Sequence, residues 1–254
     1  KKIAEEKNSK VGFHVGNNYA TCQVNQAENV ISSAWPSYIC GTSPHKVFCR
    51  QEFDTNLYKQ TKPKNIKSIG CFKNFMGMFC THFNEVDLWE DFKKALPDFD
   101  FKAYGGGNPD GIISDREEIM SKKMSEFGFI YHNKDDEGYG HVLHNAFALG
   151  KPVITNLRYM HNYVEGTEED GIRYKNSACH IMLNDEYGDE MRANFTQYKE
   201  EFVIDLSEGF DICVDKIRKI SENYDYYSDL TYNRFLKIVD WQKEADGLQV
   251  FLDN

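Results

Sequence analysis

The stretch that decides the fold is DDEGYGHVLHNAFALGKPVIT, at positions 135–155. It follows one apolar run, GFIYH (128–132), and ends in another, PVIT (152–155). Between the two runs, an acidic turn containing glycine leads into YGHVLHNAFAL (139–149), where apolar residues recur at helical spacing. Gly-Lys-Pro then stops the helix, because proline cannot continue one. The stretch therefore predicts a strand, a tight turn, a helix and a second strand.

The same alternation extends back to residue 66. SIGCF (68–72) and FKAYG (101–105) have the apolar pattern of strands, and VDLWEDFKKAL (86–96) and DREEIMSKKMSEF (115–127) have helical spacing. Strands and helices that alternate with short connections predict an α/β fold, with a Rossmann-like parallel sheet and helices on both faces. Further strands are predicted at 11–15, 46–49 and 180–183, and further helices at 188–202, 208–223 and 228–245.

The alternation also suggests how the chain is divided. The polar stretch YKQTKPKN (58–65) separates a less regular first quarter from the regular block. We therefore expect a reduced or partial N-terminal region at 1–62 and a Rossmann-like domain at 63–207. The amphipathic helices of 208–254 are expected to pack back on the body.

Composition narrows the classes of function. Apolar residues make up 41% of the chain, which excludes disorder. The formal net charge of −10 disfavours nucleic acid and anionic lipid as partners, and we interpret the basic run KQTKPKNIK (59–67) as a solvated linker. Seven scattered cysteines without CxxC spacing favour reduced thiols. With no apolar run near the roughly 18 residues of a membrane span, these features predict a cytoplasmic protein without a transmembrane segment.

Small and polar residues follow three of the predicted strands. They are Lys73 with Asn74, the run GGGN (105–108), and the run NKDDEGYG (133–140). The carboxyl ends of parallel strands meet at one edge, where such sheets bind ligands. Glycine turns that lead into helices suit anions, and Lys73 nearby would suit a diphosphate. The fingerprint G-x-G-x-x-G is absent, which disfavours a nicotinamide or flavin enzyme.

EGYGHVLHNAFALGKPVIT resembles the group-1-like nucleotide-sugar signature in the C-terminal domain of GT-B glycosyltransferases. That signature has an acidic residue, a small-aromatic-glycine turn, an apolar helix with a second acidic residue, and Ala-x-Ala-x-Gly-x-Pro-Val. The flanking segments 46–60, 68–73 and 168–174 are more weakly similar, so the resemblance covers about 46–175. It implies a nucleotide-sugar site built on the predicted sheet edge.

The resemblance implies roles for particular residues. Glu137 would lie beside the reacting sugar, and the turn after it would bind the donor diphosphate. Asn145, eight positions later on the same helix face, stands where the family has a glutamate for the ribose. Cys71 stands where the family has an arginine, so the cation role moves to Lys73. The predicted donor-binding residues are Lys73, Asn74, Tyr104, Gly105, Ile113, Gly138, Tyr139, Gly140, His141 and Asn145.

The acceptor side is predicted in the N-terminal region. VGFHVGNNY (11–19) would be the remnant of the acceptor-binding side of a reduced first domain, with His14, Asn17 and Asn18 facing the cleft. His14 joins Glu137 as a candidate catalytic residue, since an inverting enzyme needs a base.

The resemblance implies a glycosyltransferase that moves a sugar from a nucleoside-diphosphate sugar to a saccharide acceptor. Transfer is expected to retain configuration and to need neither metal nor cofactor. The acidic run Asp-Phe-Asp (98–100) is interpreted as a loop at the opposite sheet edge. Two alternatives stay open: a nucleotide-sugar epimerase of the same fold, and a non-catalytic module that binds nucleotide or glycan.

Overall fold

Two parallel sheets organise the part of the chain that the computed structural model describes. That part comprises residues 13–15, 28–32, 43–49, 56–74, 76, 85–133, 141–155, 201–238 and 241–253. The smaller sheet has the order β1 (Phe13–Val15), β2 (Asn29–Ser32) and β3 (His45–Phe48). The larger contains β4 (Ser68–Phe72), β5 (Asp100–Tyr104), β6 (Phe129–Tyr131), β7 (Val153–Thr155) and β8 (Val203–Asp205), in the order β5-β4-β6-β7-β8. Neighbouring strands are parallel throughout, so the predicted α/β fold with a parallel sheet is confirmed.

The helices connect and cover these strands. They are α1 (Glu85–Ala95), α2 (Glu117–Ser125), α3 (His141–Ala148), a short 3-10 turn (Leu206–Glu208), α4 (Phe210–Glu222), α5 (Tyr224–Ile238) and α6 (Trp241–Asp253). The single helix predicted at 228–245 is wrong, because α5 ends at Ile238 and a separate helix begins at Trp241. Neither glycine nor proline marks that break in the sequence. The strand predicted at 180–183 and most of the helix predicted at 188–202 lie outside the described residues.

Both faces of the larger sheet are covered. Trp89 of α1 packs edge-on against Phe101 and Tyr131, at ring-centroid distances of 5.2 and 5.1 Å. Phe127, just after α2, packs against Phe72 and Tyr104 at 5.7 and 6.2 Å. Successive strand residues point to opposite faces, so Phe101 and Tyr104 lie on different sides of β5. The all-buried pattern of β4 fits a strand with helices on both sides.

The last helix reaches the smaller sheet. α6 packs against β3, and a Cβ at Gly247 would lie 4.0 Å from the side chain of Val47. The smaller sheet lies within the predicted region 1–62, and β8 lies within the predicted domain 63–207. The exact domain boundaries stay a prediction.

The turn after β5 packs directly on the turn after β4. Gly105 has a φ of 128°, and a Cβ there would lie 2.3 Å from the carbonyl oxygen of Lys73. The backbone N–H of Lys73 donates to the carbonyl of Tyr104 at 3.2 Å, which continues the pairing of the two strands. Glycine at position 105 is therefore required by the backbone conformation and by the close approach of the second chain segment.

A buried lysine fastens the segment 59–67 at the other end of the sheet. Lys151 is fully buried, and its Nζ donates to the carbonyl oxygens of Thr61 at 2.7 Å and Ser125 at 3.2 Å. In contrast, the four lysines that belong to the segment 59–67 itself are exposed. Burial lowers the pKa of Lys151 to about 7, because an ammonium loses its hydration inside the protein.

We expect Lys151 to make stability depend on pH. An unfolded lysine has a pKa of about 10.4, so above pH 7 the unfolded chain binds more protons at this site than the folded protein does. The free energy of unfolding should therefore rise with pH between 7 and 10, by up to about 1.4 kcal/mol per unit. Urea denaturation of the wild type and Lys151→Met at pH 7, 8 and 9 measures this. The free energy of unfolding of the wild type minus that of Lys151→Met should increase with each unit of pH. Lys64→Met, at an exposed lysine of the same segment, is the control. A difference that is constant across this pH range would contradict the expectation.

We expect Gly105→Ala to destabilise the protein more than Gly111→Ala. Both glycines have positive φ, 128° and 87°, so each alanine carries a backbone cost of about 1 kcal/mol. At Gly111 no heavy atom of the described residues lies within 4 Å of the added Cβ, whereas at Gly105 the carbonyl of Lys73 blocks it. The free energies of unfolding of the two variants, measured by urea denaturation, should differ by at least about 1 kcal/mol. Equal losses of unfolding free energy in the two variants would show that the turns after β4 and β5 can move apart without cost.

Candidate functional site

The strand order of the larger sheet creates a crevice at its carboxyl edge. β4 lies between β5 and β6. The connection that leaves β4 through α1 leads to β5 on one side of β4, and the connection that leaves β6 through α3 leads to β7 on the opposite side. The ends of β4 and β6 therefore form a topological switch point. Parallel sheets with this order bind ligands at that point, because loops diverging in opposite directions leave space between them.

Lys73 lies at this crevice. It is the first residue after β4, and its Nζ donates to the carbonyl oxygen of Asn133, just beyond β6. The same Nζ lies 2.7 Å from Oε2 of Glu85, the first residue of α1. Cys71, at the position where the resemblance expects an arginine, is buried within β4. The first side chain that reaches the edge is thus a lysine, and it joins β4, β6 and α1.

The Lys73–Glu85 ion pair is almost completely shielded from water. The exposed fractions of the two side chains are 3% and 0%. Taking two charges out of water costs several kcal/mol for each ion, and the mutual attraction offsets that cost only when the contact is close. The charge that the sequence assigned to a diphosphate is therefore neutralised by a carboxylate in this structure. The diphosphate role of Lys73 stays a prediction.

Three more predicted residues lie in or close to the neighbouring turns along the chain. Oδ1 of Asn74 accepts a hydrogen bond from the backbone N–H of Gly106 at 2.7 Å. The ring of Tyr104 stacks on Phe72 at 5.6 Å, on the face covered by α2, and Ile113 is partly buried against the core. Tyr104 and Ile113 therefore support the turns through packing.

Asn108 joins the same turns and was not among the predicted residues. Its Nδ2 donates to the carbonyls of Lys73 at 2.6 Å and Tyr104 at 3.0 Å. Its Oδ1 accepts from the backbone N–H of Met76 at 3.0 Å. The available signal was the asparagine that ends GGGN, since asparagine side chains commonly bond to backbone in turns. Asn108 fixes the separation of the turns after β4 and β5.

Helix α3 carries two predicted residues in different environments. His141, its first residue, is exposed, while Asn145 is 7% exposed. Oδ1 of Asn145 is buried and has no hydrogen-bond partner within the described part of the chain. A buried amide oxygen normally accepts a hydrogen bond, because leaving it unpaired costs about 1–3 kcal/mol. His144, beside it, packs edge-on against Phe235 at 5.4 Å and belongs to the core.

The remaining predicted residues lie outside what the structure describes. These are the signature residues Glu137, Gly138, Tyr139 and Gly140, together with Asn17 and Asn18 of the acceptor side. His14 lies in β1, where only its backbone position is described. The roles proposed for all seven stay predictions.

The described residues contain no group of three or more His, Cys, Asp or Glu side chains placed to hold a metal ion. Asp98 instead pairs with Lys67 at 2.6 Å, and Asp100 begins β5 at the amino-terminal edge of the sheet, where the sequence predicted an ordinary loop. Among the described helices, none has the length and apolar character needed to cross a membrane.

Neither known protein families nor curated proteins give a match to this sequence. Solved structures do. HepE from Anabaena, in complex with UDP-glucose, is 14% identical with a TM-score of 0.62, over 98% of this chain and 74% of that one. TarM is 11% identical with a TM-score of 0.62, over 98% of this chain and 51% of that one, so this chain spans about half of its length.

A third solved structure comes from an alpha-glucosyltransferase in complex with UDP and a 13-mer DNA containing an HMU base. It is 10% identical with a TM-score of 0.55, over 96% of this chain and 71% of that one. The TM-scores establish a shared fold, and because the sequence identities are this low the likeness shows the fold alone. The chain therefore has the GT-B fold, in which glycosyltransferases build a Rossmann-like α/β domain around a parallel sheet.

Proposed function

We propose that the protein is a glycosyltransferase that moves a sugar from a nucleoside-diphosphate sugar to a saccharide acceptor. The observation that carries the proposal is the arrangement at the switch point. Lys73 lies between the ends of β4 and β6, and α3 starts from the same edge with the buried amide of Asn145. The sequence EGYG immediately precedes that helix. The likeness of fold to HepE in complex with UDP-glucose supports this proposal.

The donor would bind along the carboxyl edge. Backbone N–H groups of Gly138 and Gly140, with the start of α3, would bind the diphosphate, because a helix amino terminus carries partial positive charge. Oδ1 of Asn145 would accept a hydrogen bond from a ribose hydroxyl. A uridine nucleotide is the first candidate, since the solved structures of similar fold include complexes with UDP-glucose and UDP.

Catalysis would rest on positioning and electrostatics. As the bond to the sugar breaks, negative charge grows on the leaving diphosphate, and the backbone amides and Lys73 would stabilise it. Glu137 would orient the sugar, so that the acceptor hydroxyl meets the reacting carbon. We infer transfer with retention and without a metal ion. An inverting reaction would instead need a base such as His14.

The acceptor is proposed to be a saccharide. A chain with a formal net charge of −10 repels polyanions, which makes nucleic acid a poor acceptor despite the DNA complex among proteins of similar fold. Hydroxyl groups of a glycan would be recognised by amides and imidazole, and Asn17, Asn18 and His14 are the candidates on that side.

The proposal is tested by incubating the protein with UDP-sugars, with and without a mixture of oligosaccharides. Release of UDP with a glycosylated product supports a transferase. An isomerised sugar formed from donor alone would identify an epimerase instead. UDP that raises the unfolding temperature without any turnover of donor would favour a binding module, since a ligand of the native state alone stabilises it.

We expect Glu137→Ala to abolish transfer and to leave the dissociation constant for UDP within about twofold, because the carboxylate would contact the sugar and not the nucleotide. Asp136→Ala removes the neighbouring acid of the same run and is the matched control. Product formation and UDP titration are measured on both variants. Undiminished turnover in Glu137→Ala would remove this residue from the mechanism.

We expect Asn145→Ala to weaken UDP binding about tenfold, the effect of losing one hydrogen bond worth about 1.4 kcal/mol. Pyrophosphate lacks the ribose, so its dissociation constant should stay unchanged. Lys73→Met is the comparison, because loss of the ammonium should weaken both ligands. Calorimetric titration of the three proteins separates these cases. Equal loss for UDP and pyrophosphate in Asn145→Ala would contradict a ribose contact.

A further inference from the structure

The ion pair of Lys73 and Glu85 makes the switch point electrically neutral. An ammonium and a carboxylate 2.7 Å apart, both buried, have no net charge to offer an incoming anion. Yet this crevice is where the proposed diphosphate would bind. A bound anion and the Glu85 carboxylate would therefore act on the same cation, and they would repel each other.

Stability alone does not account for this pair. Other ion pairs of α1 lie on its surface, such as Lys93 with Glu90, and exposed pairs of this kind contribute little. A buried pair has a large desolvation cost, and apolar residues of similar size often serve a protein equally well. The buried pair lies at the carboxyl edge and joins the crevice to the amino terminus of α1. The pair is therefore placed where Glu85 can determine whether the ammonium of Lys73 is available to a ligand.

A second contact fixes Lys73 independently of Glu85. The Nζ of Lys73 also donates to the backbone carbonyl of Asn133, and Asn108 holds the main chain of Lys73 from the other side. Removing the charge of Glu85 would therefore leave the ammonium at the crevice. The side chain of Lys73 would keep its place while its counter-ion was lost.

We propose that Glu85 is the counter-ion of Lys73 in the unliganded protein, and that a diphosphate competes with Glu85 for the ammonium. This inference rests on the proposed function and deepens it, because it makes Glu85 a residue that sets donor affinity without contacting the donor. Glu85 weakens binding of the anion in two ways. It occupies the cation, and it places a negative charge near the phosphates.

The inference predicts a gain of affinity on removing a charge. Glu85→Gln keeps the size of the side chain and should tighten binding of pyrophosphate and UDP on the order of tenfold, as expected for removing one like charge near the site. In the Lys73→Met background the same change should give a clearly smaller gain, because Glu85 then has no ammonium to occupy and only its repulsion of the anion is removed. The double-mutant cycle therefore isolates the competition for Lys73 from any general effect of charge.

The experiment is a calorimetric titration of pyrophosphate, and then UDP, into the wild type, Glu85→Gln, Lys73→Met and the double variant at low ionic strength. Glu90→Gln removes the same charge from an exposed position of α1 and is the matched control. A gain of affinity in Glu85→Gln that is clearly smaller in the Lys73→Met background supports the inference, whereas an equal gain in both backgrounds overturns it. Unchanged or weaker binding of both ligands overturns it, and so does an equal gain in Glu90→Gln.

Stability gives a second readout, should Glu85→Gln fold poorly. A buried ammonium without its counter-ion should lower the unfolding temperature, and pyrophosphate should restore it by a larger shift than in the wild type. Failure of pyrophosphate to restore it overturns the inference. A wild type that binds pyrophosphate but no nucleotide would contradict the proposed function while the Glu85→Gln effect still decides this inference. No binding of pyrophosphate by any variant would overturn both.

Discussion

The contacts of Lys73 hold together the carboxyl edge of the larger sheet. Its ammonium contacts the end of β6 and the start of α1, and its backbone carbonyl accepts a hydrogen bond from Asn108. That same carbonyl leaves no room for a side chain at position 105. One residue therefore fixes the turns after β4 and β5 relative to the end of β6. The geometry of any ligand at the switch point depends on these contacts.

Much of the larger sheet could be predicted from the sequence. β4, β5, β6 and β7 and the helices between them lie within a few residues of their predicted positions, because long apolar runs alternate there with helical spacing. Two strands were missed, β2 (NVIS) and β8 (VID), because three or four residues that include polar ones give no clear period. The break between α5 and α6 was missed because side-chain spacing continues across it.

The candidate site was predictable in position but less so in its electrostatics. Strand ends and glycine turns indicate an edge, and Lys73, Asn74 and Gly105 do meet there. The pairing of Lys73 with Glu85 depends on how α1 enters the sheet, which no local pattern encodes. Asn145 is likewise buried in the folded protein, in a helix that packs against α5, and burial of this kind depends on tertiary packing. The sequence therefore identified Lys73 and Asn145 as candidates. It did not reveal that Lys73 is paired with a carboxylate or that Asn145 is shielded from water.

The contact between α6 and β3 has a consequence for how the protein is made. β3 is synthesised before any strand of the larger sheet, whereas α6 follows all of them along the chain. During synthesis on the ribosome, β3 can contact α6 only after every strand of the larger sheet has been synthesised. Contacts so distant in sequence form slowly, because a long loop has to close first. The face of β3 that contacts α6 therefore lacks this contact until residues 241–253 have been synthesised.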